Sequence, residues 1–133
     1  MRTLVIDDDI VVREQLKALL NKCGDFEVEC APRGKIGIDM FCASVEDAEP
    51  YRLVMVDIQM PDVSGHEVVK AIRECEEKHN IVDYLQTKIL MATVSHDFHD
   101  CSEAYYNFCN DYVVKPITFE KLYEKLGNLF NDH

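Results

Sequence analysis

The chain has 133 residues, 47% hydrophobic and 29% charged, a composition typical of a single globular domain. Its formal net charge of −11 opposes the phosphate neutralisation on which nucleic-acid binding depends, so we expect no nucleic-acid partner. No apolar run approaches the ~18 residues of a membrane span, and an aspartate triplet begins at Asp7, so we expect one cytoplasmic domain over residues 1–133, without membrane insertion or a secretory signal.

Strand-like apolar runs alternate with runs of helical period along the chain, which indicates βα units and a parallel sheet. The predicted strands are residues 4–6, 26–30, 53–56, 88–92 and 112–114. The third is almost entirely apolar, as expected of a central strand that is covered on both faces.

Each predicted strand precedes apolar residues that are spaced for one face of a helix. The predicted helices are residues 12–23, 38–45, 68–75, 98–108 and 119–130. Asp9 is expected to cap the first helix and Gly24 to end it. Five alternating repeats predict an α/β domain with helices on both faces of its sheet.

Polar side chains follow four of the five predicted strands. Ligands bind beyond the carboxyl ends of the strands in such folds, which is where a site is expected. Asp7 and Asp8 follow the first strand, Asp57 the third, Thr93 the fourth and Lys115 the fifth. Each could be an ordinary turn, cap or surface residue, but their coincidence at successive strand ends favours a functional site.

Three carboxylates at one edge of a sheet repel one another, by about 4 kcal/mol for each pair at ~4 Å in an effective dielectric of ~20. Oxygen ligands with room for water are what Mg²⁺ prefers, and the same strand ends lack the His and Cys ligands that zinc favours. The sequence therefore predicts a Mg²⁺ site, with Lys115 as a second cation nearby.

A carboxylate beside Mg²⁺ and a lysine can attack phosphorus in line, because both cations stabilise charge on the phosphoryl oxygens. The product is an acyl phosphate. Asp57 stands alone at the end of the central strand and is the predicted nucleophile, which leaves Asp7 and Asp8 to hold the metal. The Thr93 hydroxyl is expected to donate to a phosphoryl oxygen.

Four segments carry a resemblance to a known family: LVIDD at residues 4–8, VMVDIQMP at 54–61, LMAT at 90–93 and YVVKP at 112–116. Together they resemble the receiver domain of two-component response regulators, over essentially the whole chain. The resemblance implies a flavodoxin-like, doubly wound sheet of five parallel strands in the order 2-1-3-4-5, with five helices on two faces.

The same resemblance implies residue roles. Asp57 would be the phosphoacceptor, Asp8 a direct Mg²⁺ ligand, Asp7 a ligand through water, and Gln59 a ligand through its backbone carbonyl. Mn²⁺ is a possible substitute for Mg²⁺. The phosphoryl donor would be a sensor histidine kinase or a histidine phosphotransfer protein. We expect a switch that dephosphorylates itself slowly rather than a turnover enzyme, acting on a downstream protein as a monomer or weak dimer.

Phosphorylation would draw Thr93 inward and let Tyr112 follow, which would remodel the face formed by the fourth helix, fifth strand and fifth helix. Gln59 and Ser95 occupy positions that tune the lifetime of the acyl phosphate in this family. The Lys115-Pro116 bond matches a peptide bond that is usually cis in the family.

Two other readings remain open. Asp7 with Asp9 also resembles the nucleophile motif of haloacid-dehalogenase-type phosphatases, in which Asp7 would attack. A receiver-like interaction module that is never phosphorylated is the second, although such modules usually lose an acidic residue or the lysine. Residues 80–86 form a lengthened connection with a possible role in partner binding.

The cysteines, the histidines and one tyrosine have simpler interpretations. The six cysteines form no C-x-x-C pair and are expected to be buried reduced thiols. A metal site at His96, His99 and Cys101 is a weaker alternative to a polar loop. Tyr106 is a hypothetical partner contact.

Overall fold

The computed structural model describes residues 1–94 and 108–130, which contain one sheet of five parallel strands. The strands are β1 (Arg2–Ile6), β2 (Glu27–Ala31), β3 (Leu53–Asp57), β4 (Lys88–Thr93) and β5 (Asp111–Val114). Their order is β2-β1-β3-β4-β5, and every neighbouring pair is parallel. The expected strand order is confirmed, and each strand lies within two residues of its predicted bounds.

Four helices lie in the described residues: α1 (Ile10–Cys23), α2 (Gly34–Glu46), α3 (Gly65–Lys78) and α4 (Phe119–Phe130). The helix predicted over residues 98–108 falls outside the described part of the chain except for Phe108, which lies in a turn. The helix α4 therefore corresponds to the fifth predicted helix. None of the described helices has the length and apolar character that crossing a membrane requires.

Local sequence explains where two helices begin. The Asp9 side chain accepts a hydrogen bond from the backbone N–H of Val11 at 2.9 Å, so its predicted capping role at α1 is confirmed. Ser64 caps α3 by accepting from the backbone N–H of Glu67 at 3.2 Å. The helix α1 ends at Gly24 as predicted, although Gly24 is extended, with φ of 167°, rather than left-handed.

The helix α2 begins four residues before its first predicted position because its cap comes from another segment. Its N-cap residue, Arg33, makes no capping bond through its side chain. The Asp62 carboxylate instead accepts from the backbone N–H groups of Gly34 and Lys35, at 3.2 and 3.0 Å. A Cβ at Gly34 would collide with Val63, so glycine lets α2 approach the loop that follows β3. These contacts fix the loop beside Asp57.

Alternate strand residues pack against opposite helix layers. Toward α1 and α4 the central strands bury Val5, Leu53, Met55, Leu90 and Ala92. Toward α2 and α3 they bury Leu4, Ile6, Val54, Val56, Ile89 and Met91. Because both faces of β1, β3 and β4 are covered, their polar side chains reach solvent only at the strand ends.

The lengthened connection at residues 80–86 has a defined shape. It contains a short 3₁₀ helix, Asp83–Leu85, and left-handed backbone at Asn80 and Asp83, with φ of 60° and 55°. Ile81 packs against the core, whereas the Tyr84 side chain is 81% exposed. The segment lies at the N-terminal end of β4, opposite the strand ends where the site was predicted.

Candidate functional site

The predicted site residues meet at the carboxyl edge of the sheet. The strands β1 and β3 are neighbours, although β2 lies between them in the chain, so the strand order reverses at this point. Asp7 follows β1, Asp57 is the last residue of β3, and Lys115 follows β5. The buried strands carry these three side chains to the crevice where doubly wound sheets bind ligands.

Three carboxylates converge in this crevice. One carboxylate oxygen from each of Asp7, Asp8 and Asp57 lies within 4.8 Å of the other two. Asp7 is 1% exposed and Asp57 is 8% exposed, whereas Asp8 is open to solvent. The cluster is therefore buried on one side and accessible from the other.

Lys115 bridges the two buried carboxylates. Its Nζ lies 3.2 Å from Asp7 Oδ2 and 3.3 Å from Asp57 Oδ1. Its backbone N–H donates to the Thr93 carbonyl oxygen at 2.6 Å, and the peptide bond to Pro116 is cis, as the family resemblance implies. The ammonium is held between the ends of β1 and β3.

Burial and charge act against each other in this pair. Burial raises the pKa of Asp57 above its ordinary 3.8; the Lys115 ammonium offsets part of that rise, and the Asp7 carboxylate adds to it. Burial lowers the pKa of Lys115, but the carboxylates of Asp57 and Asp7 more than compensate, so its pKa lies above 10.5. Lys115 is therefore a permanent cation at this site near neutral pH.

Asp7 is fixed more firmly than its neighbours. Its Oδ1 accepts from the backbone N–H of Asp9 at 2.9 Å, while Oδ2 accepts from Lys115. The Arg13 guanidinium donates to the Asp7 backbone carbonyl at 2.8 Å, a contact that the sequence alone did not predict. Both carboxylate oxygens of Asp7 are thus engaged by the protein. The Asp57 carboxylate accepts from the backbone N–H of Gln59 as well as from Lys115.

The donor set fits a hard divalent cation. All three members of the cluster supply oxygen, and one ammonium among three carboxylates leaves the cluster net negative. Two oxygen ligands of one Mg²⁺ ion lie at most about 4 Å apart, so a cluster spanning 4.8 Å needs only a small contraction. The arrangement suits Mg²⁺ better than the softer metals that favour nitrogen and sulfur.

Gly65 has a part in this site that the sequence did not reveal. A Cβ at this position would lie 2.5 Å from the Asp57 carbonyl oxygen and 2.7 Å from the Ile58 Cα, both backbone atoms that have little freedom to move. The Gly65 N–H donates to the Ile58 carbonyl at 2.8 Å. The first turn of α3 therefore packs directly on the backbone that carries Asp57.

We expect Gly65→Ala to destabilise the fold by about 1–3 kcal/mol, because the added methyl displaces the end of β3. Urea unfolding measures the effect. Gly24→Ala is the matched control, since its methyl would meet only the Phe26 ring, at 3.4 Å. Equal effects of the two substitutions would contradict the packing argument.

The structure describes some of the remaining predicted residues. Thr93 is 2% exposed, and its hydroxyl donates to the Val94 carbonyl at 2.8 Å. Tyr112 is half-buried, with the Lys125 ammonium 5.2 Å from its ring centroid. Gln59 is exposed. The predictions for Ser95, His96, His99, Cys101 and Tyr106 lie outside the described residues.

Comparisons with known proteins point to one family. The model of the response regulator receiver domain matches residues 3–127. A chemotaxis protein CheY homolog from Campylobacter jejuni is 31% identical over 129 residues, which cover 97% of this chain and 92% of that protein. Hybrid signal transduction histidine kinase I from Dictyostelium discoideum is 32% identical over 127 residues, 95% of this chain.

The chain spans only 7% of the length of that hybrid kinase, and 12% of a probable histidine kinase 2 from Oryza sativa. Among solved structures, response regulator TrrA from Thermotoga maritima, in complex with Mg²⁺-BeF, is 31% identical with a TM-score of 0.76 and covers 97% of this chain and 98% of that chain. A complex of histidine kinase ThkA with TrrA matches at 32% identity and a TM-score of 0.74, over 97% of each chain.

Proposed function

Since the chain belongs to the response regulator receiver domain family, we propose that Asp57 accepts a phosphoryl group and that the acyl phosphate switches a partner-binding surface. The observation that carries this proposal is the buried Asp57 carboxylate at the end of the central strand, paired with Lys115 at 3.3 Å and grouped with two further carboxylates. We propose the same assignment for the domain as a whole, residues 1–133.

The residues that would hold Mg²⁺ are Asp7, Asp8, Asp57 and the backbone carbonyl of Gln59. The bound ion would stabilise negative charge on the phosphoryl oxygens during transfer. Mn²⁺ prefers the same oxygen ligands and is expected to substitute. The oxygen-only cluster of carboxylates within 4.8 Å supports this assignment.

Asp57 rather than Asp7 is the proposed nucleophile. Both Asp7 oxygens already accept hydrogen bonds, and that side chain is 1% exposed, against 8% for Asp57. Burial raises the pKa of Asp57 above that of an ordinary aspartate, while the Lys115 ammonium beside it favours the ionised form that attacks phosphorus. Asp7 acts instead as a fixed anion that positions Lys115.

Transfer replaces one bond to phosphorus with another. An Asp57 carboxylate oxygen forms a P–O bond as the P–N bond to a donor phosphohistidine breaks, and the departing imidazole takes up a proton. The Lys115 ammonium stays in place and neutralises charge on the transferred group. This donor chemistry belongs to sensor histidine kinases and histidine phosphotransfer proteins, which we propose as upstream partners; the match to a kinase-bound regulator supports it.

The proposed output begins at Thr93, whose hydroxyl now donates to the Val94 carbonyl and could turn to an acceptor on the phosphoryl group. Tyr112 on β5 would then repack beside α4, which would change the surface of β5 and α4 that a downstream protein binds. Gln59 and Ser95 are proposed to set how quickly water removes the phosphoryl group.

Incubation with acetyl phosphate and Mg²⁺, followed by intact-mass measurement, tests the proposal. We expect one added phosphoryl group that hydroxylamine removes, because an acyl phosphate reacts with that nucleophile. Chelation of the metal with EDTA should reduce labelling to background, and Mn²⁺ should restore it. Labelling that is unaffected by chelation, or that resists hydroxylamine, would contradict the proposal.

A further inference from the structure

Two thiols face each other across the helices α2 and α3. Cys42 lies near the C-terminal end of α2, Cys75 lies near the C-terminal end of α3, and Cys42 packs against the core cluster that contains Cys75. Cys75 is 8% exposed, and Cys42 is partly buried against it in the core of this layer. Both are free thiols, so the pair is a ready precursor of a disulfide.

Solvent reaches the pair through a groove between the helices. The groove has a volume of about 690 Å³ and is lined by both thiols. Its other lining residues are Glu46, Ala71, Glu74, Glu77, Lys78 and His79. Three of these are glutamates, so the groove favours entry of an uncharged molecule over an anion.

We propose that Cys42 and Cys75 form an intramolecular disulfide on exposure to a neutral hydroperoxide. The proposal rests on two thiols that line one groove between α2 and α3, with Cys42 packed against the core cluster that contains Cys75. A hydrophobic core usually shields thiols of this kind, whereas here both thiols line a groove that is open to solvent.

The reaction balances in two steps. The Cys42 sulfur attacks one peroxide oxygen, the O–O bond breaks, and a sulfenic acid forms while the thiol proton leaves with the other oxygen as water or an alcohol. The Cys75 sulfur then attacks the sulfenic sulfur, the S–S bond forms, and water departs. The two thiols supply the two electrons that reduce the peroxide.

The first step should be slow. Burial raises the pKa of Cys42 to about 12, and the Cys75 side chain and the Asp39 and Glu46 carboxylates reinforce the rise. The reactive thiolate is therefore scarce near neutral pH. The second step should be fast by comparison, because the Cys75 thiol lines the same groove. The acidic groove should also exclude anionic disulfides and shield the product from anionic thiols.

The disulfide would form away from the carboxylate cluster. Gly65, at the start of α3, contacts the Asp57 backbone, whereas Cys75 lies at the opposite end of the same helix. We expect phosphoryl labelling to persist after oxidation. Because the bond closes a long loop, it should raise Tm by roughly 10 °C. The inference does not depend on the proposed function.

The test treats the reduced 133-residue chain with hydrogen peroxide, blocks the remaining thiols with N-ethylmaleimide, and maps all cysteines by non-reducing digestion and mass spectrometry. Cys30, which is also partly buried, serves as an internal reference for the extent of oxidation. We expect a peptide that joins Cys42 to Cys75 within one chain by the time Cys30 is fully oxidised. Dithiothreitol should reverse both the link and the rise in Tm.

Variants supply the control. Cys42→Ser should abolish the cross-link and the rise in Tm, while Cys30→Ser should keep both. Complete oxidation of Cys30 in the wild-type chain with Cys42 and Cys75 still unlinked would overturn the proposal. Oxidation of Cys42 to a sulfinic acid, with the Cys75 thiol intact, would overturn it as well. Both results come from the natural sequence and need no variant to fold.

Discussion

Asp57→Asn is expected to abolish phosphoryl labelling while leaving the fold intact. The amide keeps the size and shape of the side chain but lacks the anionic oxygen that attacks phosphorus. It also removes one of the two buried carboxylates that Lys115 contacts. Intact-mass measurement with acetyl phosphate and Mg²⁺ should show labelling at background at every time point.

Although Asp57→Asn should lose its labelling, it should not lose thermal stability. Asp57 lies among like charges in a buried site, and that environment raises its pKa, so its ionised form is less favourable there than in water. Neutralising it relieves the repulsion with Asp7, although it also weakens the pair with Lys115. We expect thermal unfolding of Asp57→Asn to occur at or above the temperature of the natural protein, so that lost labelling cannot be ascribed to unfolding.

Asp111→Asn is the matched control. Asp111 is also a partly buried aspartate paired with a lysine, its carboxylate oxygens lying 3.2 Å from Lys125 Nζ. It stands at the start of β5, at the other end of the strands from Asp57. Labelling should be retained. Loss of labelling in both variants, or retention in Asp57→Asn, would contradict the assignment of the nucleophile.

Glu76→Gln is expected to destabilise the protein by about 3–5 kcal/mol, the usual effect of breaking a buried ion pair. Glu76 is 1% exposed; its Oε1 lies 2.7 Å from Arg73, and Oε2 accepts from the backbone N–H of Thr87 at 2.6 Å. Substitution leaves the Arg73 guanidinium without its counter-charge in a site that is mostly closed to water.

The guanidinium of Arg73 joins three segments. It donates to the backbone carbonyls of Thr87 and Phe108, at 2.9 and 2.8 Å, and to the Asn110 side chain at 2.9 Å. The Asn110 side chain in turn accepts from the backbone N–H of Ile89 at 2.7 Å. Loss of the Glu76 charge should therefore loosen α3, β4 and the entry to β5 together, an effect that is large beside a typical domain stability of about 5–15 kcal/mol.

Glu77→Gln provides the comparison, since Glu77 is the next residue of α3 and is exposed. Urea unfolding should show a change below about 0.5 kcal/mol for that surface substitution. Similar stabilities for the two variants would show that the buried ion pair contributes little. Phosphoryl labelling should survive Glu76→Gln wherever the protein remains folded, because this network lies at the opposite end of the sheet from Asp57.

Hydrophobic periodicity predicted the sheet well because buried parallel strands impose long apolar runs on the sequence. The run at residues 53–56 needed only Asp57 added to match β3. Periodicity failed at the start of α2, where Gly34 and Gly37 are poor helix formers. Close packing against Ile6 and Val63, with capping by Asp62 from a distant segment, decides the helix there.

The convergence of Asp7, Asp8, Asp57 and Lys115 could be predicted because parallel strands bring their carboxyl ends to one edge. The contacts that fix these side chains could not. Arg13 acts through the Asp7 backbone, and the requirement for glycine at position 65 arises only when α3 is placed against β3. Neither leaves a pattern in the linear sequence. The groove that Cys42 and Cys75 share likewise depends on how two helices pack.

Borohydride reduction of the labelled protein tests the central claim most directly. It converts an aspartyl phosphate to homoserine, which peptide mapping by mass spectrometry locates to a single residue. The account predicts homoserine at position 57 alone, and only when a divalent metal was present during labelling. Homoserine at position 7, which a haloacid-dehalogenase-type phosphatase would give, would contradict this account. So would the absence of homoserine from every aspartate position.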